Sequence, residues 1–155
     1  MKFRTLVLTL TLCFAAVAAC FADDSNMMGT WKLNEAKSKL GPGASKNSTV
    51  VYEPAGDNVK VTIDGSDKDG KPTHTVWTGK FDGKDYPVTG DPNSDARSVT
   101  KVDSRTFGFN VTKDGKVTTS GRIVISADGK NRMVTTSGTD ATGNQIKSTT
   151  VYDKQ

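Results

Sequence analysis

Aspartate–glycine pairs recur along this chain at places where two strand-like runs meet. They are Asp69-Gly70, Asp82-Gly83, Asp114-Gly115 and Asp128-Gly129, and Thr142-Gly143 occupies an equivalent place. Such pairs tolerate the positive φ angles of tight turns, and they are the strongest short-range hairpin signal when strand-like runs flank them. The sequence therefore predicts a succession of β-hairpins.

The runs between these pairs have the composition and periodicity of half-buried strands. They are rich in Thr, Val, Ile and aromatic residues, and apolar and polar residues alternate most clearly in 59–64 and in 146–153. We therefore predict an all-β fold, an antiparallel up-and-down meander of about ten strands that begins at Thr30 to Leu33. Closing the meander into a barrel removes both unpaired sheet edges. The only helical candidate is Asn34 to Leu40, which stops at Gly41-Pro42-Gly43.

The first residues have the pattern of a secretory signal peptide. Lys2 and Arg4 precede an apolar run from Leu6 to Ala19 that ends in small residues and is too short to span a bilayer comfortably. We assign 1–22 to the signal peptide and 23–155 to the barrel domain, and we expect an exported protein, periplasmic or secreted.

Two cleavage sites compete at the end of this leader. Val17-Ala18-Ala19-Cys20 resembles a bacterial lipobox, in which Cys20 becomes acylated and anchors the protein to a membrane. Cys20-Phe21-Ala22 before Asp23 equally fits ordinary signal peptidase. We expect contact with a membrane only if Cys20 carries lipid.

The composition argues against several kinds of site. The net charge is +4, of which the leader contributes two through Lys2 and Arg4, and the remaining charges are interspersed, unlike the clustered cations of nucleic-acid-binding proteins. Both cysteines, Cys13 and Cys20, lie in the leader region, so ordinary cleavage leaves no disulfide or thiolate ligand. We expect no nucleic-acid partner, no metal and no cofactor.

The catalytic and metal-binding candidates have simpler interpretations. His74 is the only histidine and lacks a nucleophile motif around it, so we interpret it as a solvent-facing strand residue and expect no catalytic residues. Asp91-Pro92-Asn93-Ser94-Asp95 has the spacing of a calcium loop, but Ala96 follows where glycine is expected. We interpret this segment as a Pro-led turn with Asx hydrogen bonds.

If the barrel encloses a cavity, large apolar residues on the inward face of the strands should line it. Strand alternation selects Trp77, Phe107, Phe109, Ile123, Ile125 and Tyr152 as ligand-binding candidates. The competing interpretation is that these side chains simply fill the barrel. Only 34% of the residues are hydrophobic and Thr and Ser crowd the strands, which favours a cavity with some polar lining.

Three segments resemble one known superfamily. Gly29-Thr30-Trp31 matches the Gly-x-Trp signature on the first strand of the calycins, which include lipocalins and intracellular fatty-acid-binding proteins. Residues 149–154 resemble the closing strand of a fatty-acid-binding protein, and "KFDGKDYPVTGDPNSD" resembles exported bacterial lipocalin-like proteins of unassigned function. The resemblance implies a calycin-type β-barrel that carries a small molecule.

The resemblance also implies roles for residues at one end of the barrel. Trp31 would seal that end and pack near an arginine from a late strand, for which Arg132 and Arg122 are the candidates, and Gly29 would admit the chain without a Cβ clash. Fatty-acid-binding proteins commonly hold a carboxylate with an Arg-x-Tyr pair on the last strand. Tyr152 matches the tyrosine, but Thr150 stands at the arginine position.

These observations predict a monomeric, non-catalytic carrier that binds a small apolar or amphipathic molecule inside an exported lipocalin-like barrel. The alternative is an envelope-associated structural or protein-interaction barrel with a filled core and no ligand.

Overall fold

In a computed structural model, ten strands and no helix are found in the residues that the structure describes, 25–139 and 143–155. The strands are β1 (Gly29–Lys39), β2 (Lys46–Ala55), β3 (Asn58–Ser66), β4 (Pro72–Gly79), β5 (Asp82–Thr89), β6 (Ala96–Lys101), β7 (Thr106–Lys113), β8 (Lys116–Ile125), β9 (Asn131–Thr139) and β10 (Gln145–Lys154). The predicted leader, residues 1–22, and the acylation candidate Cys20 lie outside the described residues.

Each strand pairs antiparallel with the next one in sequence, and β1 also pairs with β10, so the sheet is a closed barrel. The closing ladder places Trp31 opposite Lys154 and Leu33 opposite Tyr152. The predicted all-β meander of about ten strands closed into a barrel is confirmed. Among the described residues, no helix is long and apolar enough to cross a membrane.

The predicted helix at Asn34 to Leu40 is wrong, because β1 continues through this segment to Lys39. The ladder to β10 is interrupted after Asn34 and resumes at Lys39, which leaves a bulge between them. The Ser38 hydroxyl donates to the Asn34 carbonyl (2.7 Å) and accepts from the Val151 N–H (2.9 Å). One or two helical turns are too short to be stable alone, whereas pairing with β10 closes the barrel.

The predicted turn at Asp82-Gly83 is also wrong. These two residues begin β5, and the ladder to β6 shifts register between Asp82 and Asp85. Gly83 has a φ of 80°, and a Cβ there would lie 2.9 Å from the Thr100 hydroxyl. The Asp-Gly pair has the sequence pattern of a hairpin turn, but here Gly83 uses its positive φ to form a bulge in β5.

The two ends of the barrel differ. At one end, which we call the closed end, the segment 25–28 leads into β1, and the turns that follow β2, β4, β6 and β8 lie at the same end. Asn26 of this segment donates from its side-chain amide to the Ser104 carbonyl (3.5 Å) in the turn after β6. Trp31, Met27 and Phe107 are fully buried there. At the opposite outer end lie the loops that follow β1, β3, β5 and β7.

The register is defined where the sequence alternation is unclear. In β8, Ile123 and Ile125 are buried, and Arg122 preceding them is exposed on the outer face. In β9, Arg132 is buried and Met133 is exposed. In β3, Val59, Val61 and Ile63 are buried, as the alternation of the sequence predicts.

Candidate functional site

A cavity of about 590 Å³ occupies the barrel between the closed end and the outer loops. This volume lies within the range of about 300–1,000 Å³ that is usual for small-molecule sites. Its lining combines aliphatic and aromatic side chains from the inward faces of the strands with hydroxyl-bearing residues. The hydroxyl-bearing residues other than tyrosine are Ser45, Thr75, Thr118, Thr119, Thr136, Thr139, Ser148 and Thr150.

Trp77 of β4 forms part of one wall. Its indole N–H donates to the Arg97 carbonyl of β6 (2.9 Å), which ties two non-adjacent strands together across β5. The Tyr86 ring meets the indole edge to face, with 6.0 Å between ring centroids. Gly79 permits this arrangement, because a Cβ there would lie 2.5 Å from the Tyr86 ring and 2.6 Å from the Trp77 ring.

Phe109 and Arg97 form the neighbouring wall. The Phe109 ring lies over Gly121 of β8, where a Cβ would come within 2.2 Å of the ring. The Arg97 guanidinium lies 5.4 Å from the centroid of the Phe109 ring. Gly121 thus lets Phe109 lie against the sheet, and Phe109 offers its face to the cation.

Arg132 of β9 forms the floor of the cavity with three aromatic rings. Its guanidinium carbon lies 5.0 Å from the ring centroids of Trp31 and Tyr52, and 4.7 Å from that of Tyr152. One of its terminal nitrogens lies 3.7 Å from the Met27 sulfur. The three rings together stabilise the charge of this side chain, which is only 3% exposed.

Trp31 itself lies at the closed end and does not line the cavity. It is fully buried, and its N–H donates to the Met27 carbonyl (2.8 Å). Lys154 holds its ammonium nitrogen 5.2 Å from the indole centroid. Gly29, two residues earlier, has a φ of 103°, and a Cβ there would lie 3.3 Å from the Lys154 Cε. These contacts are those of a barrel plug.

Burial shifts two ionisable groups of the cavity. It raises the pKa of the Tyr152 phenol, and the positive charge of Arg132 opposes this shift only in part. Burial lowers the pKa of Arg97, against the opposing influence of Tyr52 and Asp91. At neutral pH, Tyr152 is therefore a neutral hydroxyl that can donate a hydrogen bond.

Two acidic groups near the outer end accept hydrogen bonds from neighbouring residues. Asp91 accepts from the Asn93 N–H (2.9 Å) and the Ser94 hydroxyl (2.7 Å), which are the predicted Asx hydrogen bonds. Asp95 accepts from the Lys113 ammonium (2.8 Å) and the Asp114 N–H (2.7 Å). Among the described residues, no group of three or more His, Cys, Asp or Glu side chains could hold a metal ion.

The structure separates the six predicted ligand-binding residues into two groups. Trp77, Phe109, Ile123 and Tyr152 line the cavity. Phe107 and Ile125 are buried but lie outside the lining, nearer the closed end. Phe107 packs there against Phe81, with 5.1 Å between ring centroids, so it fills the barrel instead of facing the cavity.

Two polar residues of the cavity, Arg97 and Tyr52, are absent from the sequence prediction. Arg97 shares the inward face of β6 with Val99, and Tyr52 shares that of β2 with Val50. Period-two alternation with these valines is the signal that could have identified both residues.

His74 lies on the exposed surface, away from the cavity. Its Nδ1 is 2.6 Å from a carboxylate oxygen of Asp64 on the neighbouring strand, and both side chains are more than half exposed. Neither residue belongs to the cavity lining.

No family model and no curated protein matches the sequence. Similar solved structures include a redesigned β-barrel, mFAP1, bound to DFHBI, with 14% identity and a TM-score of 0.44, covering 85% of this chain and 98% of that one. A second, a de novo designed fluorescence-activating β-barrel, has 14% identity and a TM-score of 0.38, covering 85% of this chain and 96% of that one.

Proposed function

We propose that this protein binds a small apolar or amphipathic molecule non-covalently inside its barrel and carries out no reaction on it. The observation that carries the proposal is the cavity of about 590 Å³ inside the barrel. A barrel with a filled core would place its large inward side chains where this space lies.

The lining supports an amphipathic occupant. Aliphatic side chains and the faces of Trp77 and Phe109 offer apolar contact, while threonine and serine hydroxyls distributed among them can accept or donate hydrogen bonds. The calycin assignment belongs to the same proposal. Its support is the Gly-x-Trp segment on β1 together with Arg132 of β9 against Trp31.

The neutral fluorophore N-phenyl-1-naphthylamine tests the proposal, because its emission rises when it leaves water for an apolar site. We expect saturable binding of one molecule per chain. Thr136→Trp, which fills the cavity, should abolish binding. Thr135→Trp is the matched control, since this neighbour is not part of the lining. Absence of binding to the folded protein would reject the carrier proposal in favour of the structural barrel.

We further propose that the protein acts after export. The support is the sequence of 1–22, with its basic start and its apolar run. Native mass spectrometry of material from the envelope fraction of the source cells tests this directly. A mass beginning at Asp23 indicates a free exported protein, an acylated mass beginning at Cys20 indicates an anchored one, and an uncleaved mass contradicts the proposal. The same spectrum would reveal a bound small molecule.

A further inference from the structure

The cavity holds more positive than negative charge. Among the described residues that line it, Arg97, Lys113 and Arg132 are basic and Asp91 is the one carboxylate. Lys113 is paired with Asp95. None of the salt bridges between described residues involves Arg97 or Arg132, and the Nε atoms of both are buried without a hydrogen-bond partner. A buried cation with no ionic partner is costly, and binding an anion would offset that cost.

The two arginines differ in how far their surroundings already compensate their charge. Arg132 lies among three rings and the Met27 sulfur, and it is almost fully buried. Arg97 has one aromatic partner, Phe109, and a larger exposed fraction. Because Arg97 lines the cavity, it is the cation that remains accessible to a bound molecule.

The carboxylate of Asp91 is near enough for its charge to act on Arg97, but no salt bridge between described residues joins the two side chains. The two carboxylate oxygens of Asp91 already accept from Asn93 and Ser94 in the loop after β5. Tyr52 and Tyr152, in contrast, line the cavity near the arginines and bring phenolic hydroxyls that can donate to an anion.

From this arrangement we propose that the cavity selects an amphipathic anion, whose acid group binds Arg97 with help from the hydroxyls of Tyr52 and Tyr152 and whose apolar body lies against Trp77 and the aliphatic wall. The inference rests on the proposed function and names the ligand class. The cation of this site lies on β6, whereas the last strand, β10, has Thr150 at the arginine position and contributes Tyr152.

Two matched probes test the charge preference. The probe 8-anilino-1-naphthalenesulfonate has the N-phenyl-1-naphthylamine framework with an added sulfonate, so the two differ by one anionic group. We expect the sulfonate probe to bind at least about tenfold more tightly than the neutral probe, because its acid group can form a charge-assisted hydrogen bond. Arg97→Met keeps much of the apolar stem and should remove this preference, so that the ratio of the two affinities falls to about one.

Two further variants separate the site from general effects of charge. Arg122→Gln removes an exposed arginine of β8 and should keep the full preference. Arg97→Lys retains a cation and should keep most of the preference for the sulfonate over the neutral probe. This variant tests the role of the positive charge if Arg97→Met does not fold.

Equal affinity for the two probes, or a preference that survives Arg97→Met, overturns the anion site while leaving the carrier function intact. Failure of both probes to bind rejects the carrier function and the anion site together.

Discussion

The guanidinium carbon of Arg132 lies 5.0 Å from the centroid of the Trp31 ring and so joins β9 to β1 across β10. The pair belongs both to the packed closed end and to the cavity, because Arg132 lines the cavity and Trp31 lies beyond it. The same side chain therefore stabilises the fold and supplies positive charge to the site.

Arg132→Ala should destabilise the protein by about 2–4 kcal/mol, because it removes contacts with three rings and leaves a void among them. Arg132→Met should cost less, since a thioether fills part of the volume and carries no charge to desolvate. Urea denaturation followed by tryptophan fluorescence measures both values. Equal stability of wild type and Arg132→Ala would show that the rings do not depend on the cation.

Gly29→Ala should destabilise the barrel by about 1–3 kcal/mol, because the φ of 103° is unfavourable for a residue with a Cβ. Gly108→Ala is the control. Its φ lies outside the left-handed region, and a Cβ there would meet nothing within 4 Å. Its stability should stay within about 1 kcal/mol of wild type. A similar loss in both variants would contradict the conformational explanation.

Protonation of Asp95 at acidic pH should lower the stability of the folded protein. Hydrogen bonds from the Asp114 N–H and from Lys113 hold the pKa of this carboxyl below its ordinary 3.8. The stabilisation is present above pH 3.8 and is lost as the pH falls through the lower value of the folded state. The melting temperature should therefore fall less steeply on acidification in Asp95→Asn. Asp57→Asn, in the exposed turn after β2, should retain the wild-type slope.

Ionisation of Tyr152 at alkaline pH should lower the stability of the folded protein. Burial raises the pKa of this phenol above its ordinary 10.0, with Arg132 opposing. The associated stability is fully present below about pH 10 and is lost as the pH rises through the raised value, because the unfolded chain ionises first. Tyr152→Phe should reduce the loss of urea resistance between neutral pH and about pH 11. If Tyr152→Phe loses as much resistance to urea as wild type, another group causes the loss of stability at alkaline pH.

The fold is largely predictable from sequence because its signals are local. The alternation of Val59, Val61 and Ile63 fixes the inward face of β3, and Gly70, Gly115 and Gly129 adopt the positive φ of their turns. The errors arise where a local signal competes with long-range pairing. Residues 34–39 continue β1 instead of forming a helix, and Gly83 forms a bulge.

The candidate site is less predictable because its key contacts join strands that are distant in sequence. Alternation places Trp77 and Phe109 on the inward faces of their strands, and both line the cavity. Alternation with Val99 indicates the inward position of Arg97, but its contact with Phe109 depends on the pairing of β7 with β8, which places Phe109 opposite Gly121. No short stretch of sequence contains that information.

The ladder between β1 and β10 has a consequence for the order of folding. The ring is completed only when Trp31 meets Lys154 and the Gln155 N–H reaches the Thr30 carbonyl (3.0 Å), so nearly the whole chain must be available before the sheet can close. Pairing between such distant residues is slow to form, since a long loop must be ordered first. A chain that lacks β10 keeps two open sheet edges, at β1 and β9, so closure of the ring waits for the C-terminal strand.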